Sequence, residues 1–105
     1  MRYNKLVRDH IPSAIAATGR LPQVRQLAPD EFRAALRAKL LEEAAECAGA
    51  TTREQIAEEC ADLLEVIAAV AELEGLDWGE IVALRERKAE ERGAFRNMVL
   101  LISAD

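Results

Sequence analysis

Two pairs of acids flank a single short break in a helical stretch, and they constrain the fold more than any other feature. Glu43/Glu46 and Glu59/Asp62 are each spaced i,i+3, so each pair occupies one face of a helix. The break, around Gly49 to Thr51, is short enough to force an antiparallel hairpin. The midpoint of the four acids lies about two residues from the centre of that loop, an axial offset of roughly 3–6 Å. The two pairs are therefore expected nearly level on neighbouring helices.

They are also expected to face inward. The apolar stripe of the first helix runs Leu36, Leu40, position 43 and Cys47, which puts Glu43 at a core-type position. On the second helix Ile56, Leu63, Val66 and Val70 define the stripe, and Glu59 falls within it. Ala44, Ala45, Ala57 and Ala61 surround the acids and are expected to let the helices approach closely. Converging carboxylates in a partly buried place are costly unless something positive joins them. All-oxygen ligands point to a hard cation, Mg²⁺ or Mn²⁺, rather than Zn²⁺. The competing reading is a charged hairpin whose acids all face water.

The charge distribution weighs against that second reading. Net charge is −5, but residues 1–39 carry eight bases against three acids, residues 40–84 twelve acids against Arg53 alone, and residues 85–105 five bases against four acids. Like charges recur at i,i+4 (Glu42/Glu46, Glu54/Glu58, Glu58/Asp62), and each pair costs a few tenths of a kcal/mol in a helix. The block 40–84 thus reads as acids without counter-bases, strain that a cation from outside would relieve. The negative balance excludes a generic nucleic-acid or anionic-membrane binder.

Punctuation divides the rest. Pro29 suits a first helical turn, Asp30 and Glu31 complement its dipole, and Gly49 stops that helix. Thr51 and Thr52 offer caps to the second, with Glu54 and Gln55 completing either capping box, and it runs to about Leu73. Asp77, with Glu80, opens a third that Gly93 closes. A short helix is expected over Asp9 to Ala17, capped by Asp9, and short strands over Leu21–Leu27 and Phe95–Ile102. The fold class is mainly α: a helical hairpin with flanking helices and minor strands near the two ends, in one domain spanning 1–105. Half of the residues are hydrophobic, but 20 of those are Ala and four aromatic, so the core is thin and a partner subunit is expected. No apolar run suits a membrane span, and two Cys without a secretory signal read as reduced thiols in cytoplasm.

A metal-bound phosphate substrate needs further cations around it. Lys5 and Arg8, spaced i,i+3, and Lys88 and Arg92 on the last helix are the candidate substrate contacts. Arg85 shares that last face, but with Arg87 it reads as ordinary surface charge. His10 reads as a first-turn residue, Cys47 and Cys60 as small core residues, and Trp78 as a packing anchor.

Glu42-Glu43-x-x-Glu46, twelve residues, then Glu59-x-x-Asp62 resembles the signature of the all-α nucleoside triphosphate pyrophosphohydrolases. That superfamily includes the MazG-type enzymes and phosphoribosyl-ATP pyrophosphohydrolase. The opening Tyr3-Asn4-Lys5-Leu6-Val7-Arg8-Asp9-His10-Ile11-Pro12 and the closing Lys88…Glu91-Arg92-Gly93-Ala94-Phe95 are similar to its small phosphoribosyl-ATP pyrophosphohydrolase-like branch. His10 stands where Lys is more usual and Ala94 where Gly is usual. The resemblance implies cleavage of an α–β phosphoanhydride to a nucleoside monophosphate and pyrophosphate. It implies Glu43, Glu46, Glu59 and Asp62 as metal ligands and Glu42 as the group that orients or deprotonates the attacking water. It also implies a homodimer that packs two hairpins into a four-helix bundle. Phosphoribosyl-ATP hydrolysis and a non-catalytic helical dimerisation module are the alternatives.

Overall fold

The computed structural model describes residues 4–105. Arg2 of the first basic block and Tyr3 of the opening motif lie outside the described residues. Four helices follow in order: α1 (Ile11–Ala17), α2 (Pro29–Gly49), α3 (Arg53–Leu73) and α4 (Trp78–Arg92).

The long helices begin where local chemistry satisfies free backbone donors. Glu31 accepts the Ala28 amide at 3.1 Å and is gripped by both terminal nitrogens of Arg25, at 3.3 and 2.9 Å. Ala28 itself has no side-chain acceptor, so only the returning half of a capping box forms at α2. At α3 the Thr52 hydroxyl accepts the Gln55 amide at 3.1 Å, and Gln55 accepts the Thr51 amide at 3.4 Å. Gly75, at φ +69°, turns the chain after α3, with the Leu76 amide donating to the Ala71 carbonyl at 2.8 Å. Gly93, at φ +84°, does the same after α4.

Three expected details differ. His10 rather than Asp9 precedes α1, and its side chain makes no capping bond. Asp77 precedes α4 without a side-chain cap. Among the described residues there is no strand. Pro22 lacks an amide donor within the first expected strand. In the second, Met98 adopts φ +53°, which breaks the extended run, and neither segment has a partner to complete a ladder.

α2 and α3 form the one extensive helix–helix contact among the described residues, an antiparallel hairpin of two 21-residue helices. Each is about 31 Å long. Leu36, Val66 and Ala71 are its buried apolar residues, and Glu43 is buried beside them. Ala44, Ala45, Ala57 and Ala61 are exposed, contrary to their expected place between the helices, and Ile56 is 42% exposed near the loop end. Ala44 shows why: it is one position, about 100°, off the stripe that Glu43 occupies. The radius of gyration is 17.9 Å, whereas a compact chain of this length has about 13 Å. No described helix is long and apolar enough to cross a membrane.

Candidate metal and phosphate site

The hairpin brings Glu43 and Glu46 of α2 and Glu59 of α3 together. One carboxylate oxygen from each lies within 4.8 Å of those of the other two. Glu43 is only 6% exposed, Glu59 is half-buried and Glu46 is exposed. Glu43 Oε2 and Glu59 Oε2 are buried and have no hydrogen-bond partner among the described residues. A buried, unsatisfied carboxylate oxygen costs about 1–3 kcal/mol or more. A cluster of carboxylate oxygens of this kind fits a hard divalent cation, whose ligand preference is for carboxylates at short range.

Asp62, the fourth expected member, is turned to another partner. Its Oδ1 accepts Arg8 Nη2 at 2.7 Å. Glu42 is similarly engaged: Oε1 accepts Lys5 Nζ at 3.1 Å and Oε2 accepts Lys39 Nζ at 3.5 Å. The Lys5 bond holds the Glu42 carboxyl below its ordinary range; partial burial opposes this, and the charges of Lys39 and Lys5 reinforce it. Lys39 also reaches Glu43 Oε1 at 3.2 Å. Burial disfavours the Lys39 ammonium, but the bond to Glu43 and the charges of both glutamates outweigh it and raise its basicity.

Lys39 has no place among the sequence-based candidates, and the claim that the acids lack counter-bases is corrected by it. It lies one residue before the acidic block, at i,i+3 from Glu42 and i,i+4 from Glu43, a spacing that signals an ion pair on any helix. Lys5 and Arg8 supply the other two cations, across 37 and 54 residues of chain. Five carboxylates therefore face three cationic groups, leaving two negative charges unbalanced. That deficit equals the charge of one divalent ion.

Lys88 and Arg92 are not brought in. Both are exposed on α4, and no hydrogen bond or ion pair among the described residues links them to the acids. The physical reason is that α4 does not pack along the hairpin. Cys47 and Cys60 are half-buried and exposed rather than core, and their sulfurs face each other across α2 and α3 at 3.8 Å. Contact with Cys60, then burial, then the charges of Cys60 and Glu59 raise the Cys47 thiol above its ordinary value.

The family model for phosphoribosyl-ATP pyrophosphohydrolase matches residues 19–89, which include α2, α3 and Glu42, Glu43, Glu46, Glu59 and Asp62. The chain belongs to that family, within the all-α MazG-like superfamily. The chain is also similar to an uncharacterised protein of Mycolicibacterium smegmatis, 56% identical over 50 residues. That match covers 48% of this chain and 51% of the relative, so the chain spans about half the length of the curated relative it matches. No solved structure matches.

Proposed function

We propose that this protein is a divalent-metal-dependent nucleotide pyrophosphohydrolase that cleaves an α–β phosphoanhydride, with water, to a nucleoside monophosphate and pyrophosphate. The observation that carries this reading is the pair of buried, partnerless oxygens on Glu43 and Glu59, in a cluster that spans both helices of the hairpin. Glu43, Glu46 and Glu59 would hold Mg²⁺ or Mn²⁺, and Asp62, which pairs with Arg8 in the free protein, would be the fourth ligand. When bound, the ion neutralises phosphate charge and acidifies a coordinated water.

The chain's own residues do the rest. Glu42 is ionised and held by Lys39, so it accepts a hydrogen bond from the attacking water and takes its proton. Lys5 and Arg8 are engaged by carboxylates in the free protein and pass to the substrate phosphates, which offer more negative charge. That exchange removes the Lys5 bond that depresses the Glu42 carboxyl and so makes Glu42 a better base when substrate is present. Lys88 and Arg92 enter only through a second copy of the chain. The expanded shape, with three buried apolar residues among the described residues, favours such a homodimer, with hairpins packed into a four-helix bundle. The residues 1–105 act as one domain in the cytoplasm, on a nucleotide rather than on a nucleic-acid polymer.

Phosphoribosyl-ATP is the second substrate reading, favoured by the family that matches. A panel of ribo- and deoxyribonucleoside triphosphates plus phosphoribosyl-ATP, assayed for pyrophosphate with Mg²⁺ and with EDTA, tests both. The expected result is pyrophosphate and monophosphate in equal amounts with Mg²⁺ and none with EDTA. Absence of release from every substrate would overturn the hydrolase reading and leave a helical interaction module.

A further inference from the structure

We infer that Cys47 and Cys60 are a reversible oxidation site, closing to an intramolecular disulfide on reaction with a peroxide and so clamping the hairpin one residue behind Glu46 and Glu59. The two sulfurs already lie 3.8 Å apart, on different helices and 13 residues apart in sequence. A disulfide needs about 2.05 Å, so the sulfurs must approach by under 2 Å, within reach of small side-chain and helix adjustments. Alanines at 44, 57 and 61 beside them offer no bulk against that approach. Cys60 is exposed and open to a small oxidant, and Cys47 is half-buried behind it as the resolving thiol.

The chemistry balances with hydrogen peroxide as oxidant. The Cys60 sulfur attacks one peroxide oxygen; the S–O bond forms, the O–O bond breaks, and the departing hydroxide leaves as water with the thiol proton. The Cys47 sulfur then attacks the sulfenic sulfur; the S–S bond forms, the S–O bond breaks, and a second water carries off the Cys47 proton. Two thiols lose two electrons and one peroxide gains them. A dithiol reductant reverses the change by exchange.

The inference rests on thiol geometry alone and stands or falls independently of the hydrolase reading. Reduced protein is treated with hydrogen peroxide, alkylated with N-ethylmaleimide and weighed intact, with and without dithiothreitol between the oxidation and the alkylation. The expected product is a monomer 2 Da lighter that takes no maleimide, and dithiothreitol restores two adducts. Its melting temperature exceeds that of the reduced protein by on the order of 10 °C, because the bond closes a short loop in the unfolded chain. The variants Cys47→Ser and Cys60→Ser give neither the 2 Da loss nor the melting shift. Wild-type protein that gains two or three oxygens on a thiol, or that forms only disulfide-linked dimers, would overturn the inference.

Discussion

Arg8 Nη2 donates to Asp62 Oδ1 at 2.7 Å and thereby ties the segment before α1 to the acid face of α3, 54 residues away. Both side chains are substantially exposed, so the pair itself contributes at most about 1 kcal/mol of stability. The substitution Arg8→Ala is therefore expected to shift the melting temperature by no more than a few degrees. Pyrophosphohydrolase kcat/KM is expected to fall at least about tenfold, mainly through KM, because a phosphate contact is lost. Melting curves beside steady-state kinetics check this; a large melting shift with unchanged KM would assign Arg8 to structure alone.

Glu59 has no cationic partner among the described residues, and one of its oxygens is buried unsatisfied. Replacing it by Gln removes a repelling charge from beside Glu43 and Glu46. Metal-free Glu59→Gln is expected to melt a few degrees above the metal-free parent, an effect of about 1 kcal/mol. Its activity is expected to drop about a hundredfold or more. Opposite signs for stability and activity mark a site held under electrostatic strain, and melting in EDTA with assays in Mg²⁺ reads both.

Lys39 is the counterpart. It neutralises the most buried carboxylate, and its own side chain is only 19% exposed. Lys39→Met leaves Glu43 without its one ion pair and is expected to destabilise the metal-free protein by about 3 kcal/mol. Saturating Mg²⁺ then recovers part of the loss, so the metal-induced rise in melting temperature is larger in Lys39→Met than in the parent. Thermal melts of both proteins with Mg²⁺ and with EDTA check the difference.

Hydrogen bonding from Lys5 lowers the Glu42 carboxyl below its unfolded value of about 4.3. A depressed carboxyl stabilises the fold fully above the unfolded value and loses that contribution as pH falls through the folded one. Glu31, lowered first by its bond with Arg25 and then by the Ala28 amide, acts in the same direction. Metal-free parent protein is expected to melt above Lys5→Ala at pH 6–7, and the gap is expected to close as pH falls below about 4. Melting of the two proteins across pH 3–7 in EDTA checks the sign; a gap that widens on acidification would contradict it.

Much of this was legible in the residues. The i,i+3 spacing of the acids, the break near Gly49 and the stripe through Leu36 and Glu43 place the hairpin and bury Glu43 as the periodicity implies. Helix phase is a strictly local property, which is why those expectations hold. Partner choice is not local. The pairing of Asp62 with Arg8 and of Glu42 with Lys5 depends on how the segment before α1 crosses the hairpin, and no period encodes that path. Lys39 was readable by spacing and is obscured only when charge is tallied in blocks that begin one residue after it. The expected strands fail for a related reason. Leu21–Leu27 and Phe95–Ile102 have apolar composition, but a strand exists only with a neighbour, and the described chain supplies none.

The central claim is that Glu43, Glu46 and Glu59 share a divalent ion between α2 and α3, and equilibrium titration with Mn²⁺, followed by the electron-spin resonance of the free ion, tests it most directly. The parent protein is expected to take up Mn²⁺ saturably. A Glu43→Gln/Glu59→Gln double variant is expected to lose that uptake, while a Glu54→Gln/Glu58→Gln variant with the same change in charge retains it. Equal uptake by all three proteins, or none by the parent, would contradict the account.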